Sequence, residues 1–376
     1  MFGNLLLNNM GKALLSKSEV IMKDPGFTKF IVDILGVVLD VIYNIVHTIA
    51  IPNSLGFSII LFTIFIRVLM VPLAVKQQKS MAKMQEIQPI VKKIQDKYKD
   101  NKDPEVQKKM QVEVQKVYSE NKVNPLSGCL PLFIQMPIFI SLSYIMNNAY
   151  MFVNKLGDIY YQLSDIIINA TNKATDSAFL EVFVPIANSK LRPGVRIAID
   201  TTDGMAKFLN VFSNDDWLSV TSLFTPETTQ SIQTLFTQRE SIEMFFGIDL
   251  TGVAGLSFPG ILIPILAGVS TFLSSYLAMN MNKNTQQNEQ MQQQQKIMII
   301  VMPIMMGFMT INLSAGVGLY WITSSIFQVF QQLFLNHNIN KKFHLKNYSD
   351  ESIAHKKEIK EHTKEALEKK LHHKKK

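Results

Sequence analysis

Apolar residues are gathered into blocks along this chain, and charged residues occupy the gaps between them. A helix needs about 20 apolar residues to cross the hydrocarbon core of a bilayer. Four blocks are long enough, and they cover residues 55–75, 126–152, 256–279 and 316–335. A fifth block, 297–312, is shorter, and the turn sequence NLSAG that follows it predicts a helical hairpin with the last block. The pattern predicts five transmembrane helices.

A sixth apolar block, residues 30–51, allows two interpretations. Its length suits a transmembrane span. However, Asp33, Asp40, Asn44 and His47 are spaced so that they share one face of a helix. An amphipathic helix that lies in the membrane interface explains this polar stripe without burying two carboxylates, so the interfacial placement is favoured and an extra span is the alternative.

The residues between the first two blocks predict a two-helix hairpin. Apolar residues recur with spacings of three and four from Met84 to Tyr98, which is the pattern of a helix with one packed seam. The polar stretch KDNKDPEVQ then breaks the helix, and Asp103 is suited to cap the next one, with Pro104 in its first turn. We expect an antiparallel hairpin with its apolar seam inward and its lysines outward.

The resulting division of the chain has an all-α membrane core with soluble segments on both sides. Its parts are an N-terminal segment with the interfacial helix (1–53), the first span (54–75), the helical hairpin (76–123), the second span (124–153), a long loop (154–254), the third span (255–280), a Gln-rich loop (281–296), the fourth and fifth spans (297–335) and a basic tail (336–376).

The charge of these segments predicts their orientation. Residues 76–122 contain 12 lysines and 7 acidic residues, and the tail 336–376 contains 12 lysines and 6 acidic residues. Residues 154–254 contain 7 basic and 12 acidic residues. Because basic segments remain on the cytoplasmic side, the hairpin and the C-terminal tail are expected in the cytoplasm and the long loop outside. This orientation agrees with the alternation of five spans.

Arg67 is the one charged residue in the first predicted span, within IILFTIFIRVLMVPL. A charge at the centre of a bilayer is costly, by roughly 2.5–3.5 kcal/mol on insertion scales. The four long blocks contain no Asp or Glu in their apolar parts, so the sequence offers no fixed anionic partner. Arg67 is either paired with backbone carbonyls in a packed bundle or faces a wet cavity inside the membrane.

Four stretches carry a resemblance to a known family. They are IRVLMVPLAVKQQKSMAKMQEIQPIVKKIQDKY at 66–98, NPLSGCLPLFIQMPIF at 124–139, FFGIDLTG at 245–252 with the apolar block that follows it, and MPIMMGFMTINLSAGVGLYWITSSIFQVFQQ at 302–332. In this order they resemble the YidC/Oxa/Alb family of membrane protein insertases, over about residues 54–335. The loop 154–254 is longer than the compact members of that family would have.

The resemblance implies a bacterial plasma-membrane protein that inserts and helps to fold other membrane proteins, with or without the Sec translocon. It implies a hydrophilic groove, open to the cytoplasm and to lipid but closed on the outside, in which Arg67 receives polar parts of a client. Nascent membrane proteins and membrane lipids are the expected partners. The basic tail suggests contact with the ribosome, and a solvated tail that the membrane repels is the equal alternative. No cofactor, metal site or catalytic residue is expected.

Polar residues on the other predicted spans are candidates for the groove wall, each with a plainer structural alternative. Gln135 suits either the groove or an interhelical hydrogen bond. Tyr320 and Trp321 suit either the groove wall or an interfacial aromatic belt. Serine hydroxyls that suit either the groove or helix packing belong to Ser274, Ser275 and Ser324.

The lysines of the predicted hairpin are candidates for contact with lipid headgroups, the ribosome or an incoming chain. They include Lys83, Lys92, Lys93 and Lys97. A spacer with solvated lysines would have the same composition.

A small-solute transporter or channel is the alternative function. Transporters usually contain internal repeats and several ionisable groups within the membrane, and neither is visible in this sequence.

Overall fold

The structure is a computed structural model, and it describes residues 27–49, 51, 53–99, 103–124, 130–171, 177–190, 199–280 and 297–335. The described residues are mostly α-helical. The helices are α1 (Phe27–Thr48), α2 (Ser54–Tyr98), α3 (Pro104–Glu120), α4 (Leu130–Asn147), α5 (Ala149–Phe152), α6 (Asn154–Ala170), α7 (Ser177–Lys190), α8 (Thr202–Leu209), α9 (Asn214–Thr221), α10 (Pro226–Glu243), α11 (Leu262–Asn280), α12 (Met302–Ile311) and α13 (Ala315–Leu335). A π-helical segment, Ile297–Val301, precedes α12, and a two-stranded hairpin of β1 (Met244–Phe245) and β2 (Ile248–Asp249) follows α10. The Gln-rich loop and the basic tail lie outside the described residues.

Helix α2 is a single helix of 45 residues that runs from the first predicted span into the predicted hairpin. At 1.5 Å per residue it is about 68 Å long, roughly twice the thickness of the hydrocarbon core of a bilayer. Two segments among the described residues are long and apolar enough to cross a membrane by length and composition, Ser54–Met81 and Lys29–Thr48. Shorter apolar helices cover Ile134–Asn147, Leu262–Ala278 and Ile299–Ile311.

Helix α1 packs one apolar face against α2 and α4. The buried face includes Leu39 and Tyr43, whereas Asp33 and Asn44 are exposed. The remaining carboxylate of the polar stripe, that of Asp40, accepts hydrogen bonds from the backbone and side-chain amides of Asn154 at 3.0 and 2.7 Å. The middle of α1 is therefore tied to the start of α6.

The predicted hairpin is formed by the second half of α2 and by α3, which pack against each other. Ile87 and Val91 of the predicted seam are buried. The predicted helix cap is confirmed, because the side chain of Asp103 accepts a hydrogen bond from the backbone N–H of Glu105 at 3.0 Å. At the solvent-exposed surface of the hairpin, Lys97 and Glu113 form an ion pair with 3.1 Å between Lys97 Nζ and Glu113 Oε1.

The apolar helices form a bundle in which α13 packs against α2, α4 and α11, and α11 also packs along α12. Two helix boundaries differ from the apolar blocks of the sequence. Helix α11 begins at Leu262, six residues after the block starts, because Pro259 and Gly260 lie in a turn and a Cβ on Gly260 would overlap the carbonyl oxygen of Ala254. The second block is divided at Asn148, where α4 gives way to α5.

The described residues between 149 and 249 form a helical region with a row of aromatic side chains in its part of the hydrophobic core. Its rings contact one another in sequence, from Phe179 through Phe183, Phe208 and Phe212 to Trp217. The long loop of the sequence is thus largely folded into helices α6 to α10.

A buried cluster of polar side chains joins α10 to α6 in this region. Arg239 Nε lies 3.2 Å from Glu243 Oε2, and Tyr160 donates a hydrogen bond of 3.1 Å to the other carboxylate oxygen. Burial raises the pKa of Glu243 to about 8, although the charge of Arg239 opposes the shift. Burial also raises the pKa of the Tyr160 hydroxyl, and the carboxylate of Glu243 adds to that shift.

The segment after α10 closes one end of the bundle through backbone hydrogen bonds. The N–H of Gly316 donates to the carbonyl of Leu250 at 2.7 Å, and the N–H of Ala254 donates to the carbonyl of Leu313 at 3.1 Å. A Cβ on Gly316 would lie 2.9 Å from the Leu250 carbonyl oxygen, so this close contact needs glycine. The helical region is thereby docked onto the turn between α12 and α13.

Candidate functional site

Arg67 lies in the apolar half of α2, on the side that packs against α13. Its Nε donates a hydrogen bond of 2.6 Å to the hydroxyl oxygen of Ser324, and its Nη2 donates to the same oxygen. Ser324 is buried, whereas Arg67 is half-buried and has exposed apolar neighbours in Val68 and Leu69. A hydroxyl on one helix therefore fixes the position of a cation on another.

None of the described carboxylates forms an ion pair with Arg67. The described parts of α2 before residue 76, and all of α4, α11, α12 and α13, contain no Asp or Glu. The neutral hydroxyl of Ser324 positions the guanidinium without neutralising it. None of the described carboxylates therefore neutralises the charge of Arg67.

Two further hydrogen bonds meet the same turn of α13. Gln135 of α4 donates to the hydroxyl of Tyr320 at 2.7 Å, and the indole N–H of Trp321 donates to the hydroxyl of Thr271 on α11 at 2.8 Å. Together with the bond from Arg67, they tie α2, α4 and α11 to residues 320–324 of α13. The Trp321 ring also contacts the edge of Phe139 on α4, with 5.8 Å between the ring centroids.

The structure thus brings together four of the candidate groove residues of the sequence, Arg67, Gln135, Tyr320 and Ser324, and places Trp321 beside them. Ser274 is buried and donates its hydroxyl to the backbone carbonyl of Thr271 within α11, and Ser275 is half-buried on the same helix.

Sequence reasoning missed Thr271, which receives the bond from Trp321. Its spacing of three residues from Ser274 places both on one face of α11, and this regularity is the signal that could have indicated it.

The hairpin lysines lie apart from this group. Lys83, Lys93 and Lys97 are exposed and Lys92 is half-buried. Lys97 is paired with Glu113, and both a hydrogen bond from Tyr98 and the pairing with Lys97 lower the pKa of that carboxyl. Among the described residues, no three His, Cys, Asp or Glu side chains are arranged to hold a metal ion.

The described residues are mostly helical, with candidate membrane-spanning helices and the half-buried cation of Arg67 where α2 packs against α13. Comparison with known proteins agrees, because residues 46–342 match the family model described as 60Kd inner membrane protein. The chain belongs to this family, and the resemblance seen in the sequence is confirmed.

Curated relatives come from several bacteria and share one name. The chain is 31% identical to membrane protein insertase YidC 1 of Lactococcus lactis over 280 residues, which are 74% of this chain and 67% of the relative. It is 31% identical to membrane protein insertase YidC of Oceanobacillus iheyensis over 281 residues, which are 75% of this chain and 74% of the relative. A shorter match, to membrane protein insertase YidC of Clostridium perfringens, is 53% identical over 88 residues, 23% of this chain and 35% of the relative.

Proposed function

We propose that this protein is a membrane protein insertase of a bacterial plasma membrane, and that it acts through a hydrophilic intramembrane groove in which Arg67 attracts acidic groups of its clients. The observation that carries the proposal is the half-buried guanidinium on an apolar helix, held by Ser324 and without a described carboxylate partner. Membership in a family whose relatives are named membrane protein insertase supports the activity.

The proposed topology has five spans. They are the first part of α2, the whole of α4, the whole of α11, α12 together with the π-helical segment that precedes it, and α13. The outer end of the bundle is the end at which α2, α11 and α13 begin. Two features support this assignment: the acidic region 149–249 docks there, and the lysine-rich hairpin extends from the opposite end of α2. The C-terminal tail would then be cytoplasmic.

Helix α1 is assigned to the outer interface in this proposal, with an additional span as the alternative. Its central residues Gly36 and Asp40 contact Phe152 and Asn154, which follow the outer end of α4. A helix whose middle lies beside that end extends beyond it, which favours the interfacial position over a central span.

The proposed mechanism needs no nucleotide. A nascent apolar segment with a short polar terminus first meets the cytoplasmic hairpin, and its polar part then moves into the groove, where acidic groups are attracted to Arg67. The apolar part leaves sideways into lipid, driven by about 25 cal/mol for each Å² of apolar surface that leaves water. The membrane potential would add about 2.3 kcal/mol per charge per 100 mV.

The remaining candidates have supporting roles. Gln135, Tyr320 and Ser324 keep the polar side of α13 turned toward Arg67, and Trp321, Ser274 and Ser275 line the path beside it. Nascent membrane proteins are the proposed clients, and lipids, the ribosome and the Sec translocon are the proposed partners.

A complementation series in cells depleted of their own insertase tests the proposal. Wild type, Arg67→Ala and Arg67→Lys are compared at matched expression by following insertion of a short client with an acidic outer terminus, and Val68→Ala is the control at the next residue. We expect wild type, Arg67→Lys and Val68→Ala to restore insertion and Arg67→Ala to fail. Stable wild-type protein that restores no insertion would refute the insertase assignment.

A further inference from the structure

Four apolar side chains near the start of α11 are largely exposed. Phe246, Val253, Leu256 and Phe258, which we call the outer apolar patch, are 65–81% exposed. Isolated exposed apolar residues are common on proteins, whereas a contiguous exposed apolar group points to a contact surface. These four lie within 13 residues of sequence.

The patch belongs to a segment without free charge. Residues 250–280 contain no charged side chain. Asp249, which directly precedes this segment, is half-buried, and one of its oxygens accepts hydrogen bonds from the backbone N–H groups of Thr251 and Gly252 at 2.9 and 3.0 Å. An uncharged apolar surface suits hydrocarbon better than a polar protein partner.

Phe246 occupies a costly backbone position. It has φ of 49° in the two-residue turn of the β1–β2 hairpin, and Gly247 follows with φ of 80°. Turns with two positive φ values favour Asn-Gly or Gly-Gly, since a bulky residue is strained there. An exposed phenylalanine at such a position indicates a use for the ring itself.

The hairpin that presents Phe246 is firmly seated on the bundle. The neighbouring Phe245 ring fills the space above Gly56 near the start of α2, where any Cβ would overlap it. The Phe246 ring stands edge-on to Phe245, with 4.7 Å between centroids, and a Cβ on Gly247 would touch Pro259 at 3.7 Å. Phe246 and Phe258 thus precede Gly247 and Pro259, the two residues at which the hairpin approaches the turn before α11.

The patch continues into the apolar surface of the spanning helices. Leu256 lines the same groove between α11 and α12 as Ile265, Val269 and Phe308. These three side chains are exposed and would face lipid in the proposed topology. A bilayer that covers them reaches the patch at the beginning of α11.

We propose that the outer apolar patch inserts into the outer leaflet of the lipid bilayer and holds the docked helical region against the membrane. This inference rests on the proposed topology. Aromatic rings favour the boundary between headgroups and acyl chains, and apolar residues at an interface are buried about 5–10 Å deep. Lipid is therefore the occupant, in place of a second protein.

Site-directed fluorescence on the full-length protein tests the proposal. A Cys129→Ser background removes the single cysteine of the chain, and an environment-sensitive fluorophore is attached to Phe246→Cys or to Phe258→Cys. Leu218→Cys is the matched control, since Leu218 is 69% exposed on α9 outside the patch. Ile265→Cys reports whether α11 itself lies in lipid. Each labelled protein is reconstituted into phosphatidylglycerol–phosphatidylethanolamine vesicles.

We expect probes at 246 and 258 to be quenched by lipid-attached nitroxides near the headgroups, and to be quenched by aqueous iodide at least about threefold less than the probe at 218. Iodide quenching equal to that at 218, with the probe at 265 still in lipid, would overturn the patch proposal and leave the topology standing. Efficient quenching of the probe at 265 by iodide would overturn both the patch proposal and the proposed topology. Shielding at 246 and 258 only in native membranes would contradict lipid insertion and indicate a protein partner.

Discussion

The guanidinium of Arg67 and the hydroxyl of Ser324 join two helices whose contacting residues are 257 positions apart in sequence. Ser324 accepts both hydrogen bonds, so it sets the direction in which the cation points. A serine, unlike a carboxylate, leaves the positive charge unneutralised. This pairing suits a cation that must attract an acidic group from a client.

Replacing Ser324 by alanine tests this positioning. We expect Ser324→Ala to lower the stability of the protein in detergent by about 1.5 kcal/mol, because hydrogen bonds to a charged group are lost. Insertion of an acidic client should fall by up to about tenfold, the equivalent of that energy. Ser325→Ala is the control, since Ser325 is a buried neighbour on the same helix. Equal insertion by the two variants would show that Ser324 does not position Arg67.

The hydrogen bond from Gln135 to Tyr320 should couple α4 to α13. In a double-mutant cycle of Gln135→Leu and Tyr320→Phe, followed by thermal unfolding in detergent, we expect a coupling energy of about 0.5–1.5 kcal/mol. The pair Gln135→Leu and Trp321→Phe should be additive, because Trp321 bonds to α11 instead. Additivity of the first pair would mean that the bond does not contribute in solution.

The two-helix hairpin should depend on its buried seam. Val91 is 1% exposed and the adjacent Ile90 is 41% exposed. Val91→Asp buries a charge, which costs several kcal/mol, and should open the hairpin to protease within residues 76–123 and reduce client insertion. Ile90→Asp places the same charge in solvent and should leave both properties nearly unchanged. Similar protease sensitivity of the two variants would argue against a packed seam.

The buried carboxyl of Glu243 predicts a pH dependence of the helical region. Its pKa in the folded protein is about 8, above the usual value of 4.5, so the folded state binds the proton more tightly than the unfolded state. The resulting stabilisation is fully present below about pH 4.5 and is lost as the pH rises toward 8. We expect stability, followed by Trp217 fluorescence on heating in a Trp321→Phe background, to decrease over this interval by at least about 1 kcal/mol. Glu243→Gln should remove most of the decrease, and a wild-type profile that is flat or rises with pH would contradict the assignment.

The sequence predicted the features that follow from local pattern. Periodicity located the hairpin seam around Val91, and residue type identified the cap at Asp103. Both depend on neighbours within one or two helical turns. The candidate residues Arg67 and Ser324 were also named from the sequence, but their hydrogen bond was not, since nothing local relates two residues so distant in the chain.

The sequence was less informative where packing between distant segments determines the local structure. The spacing of Arg239 and Glu243 fits an ordinary exposed helix pair, and only the folded region around Tyr160 buries it. The late start of α11 depends on the contact of Gly260 with Ala254, and the apolar composition of the segment does not reveal this contact. The seating of Phe245 on Gly56 likewise joins distant segments.

The central claim is that the positive charge of Arg67 attracts acidic groups of a client inside the membrane. A cycle that removes the charges of client and insertase in turn tests it most directly. One short client is used in two forms, with its acidic residues present or changed to Asn and Gln. Insertion of each form is measured with wild type and with Arg67→Gln in cells depleted of their own insertase. The account predicts that Arg67→Gln slows the acidic client by at least about tenfold, or about 1.4 kcal/mol, and the neutral client much less. An equal defect for both clients would contradict it and assign Arg67 to the packing of α2 against α13.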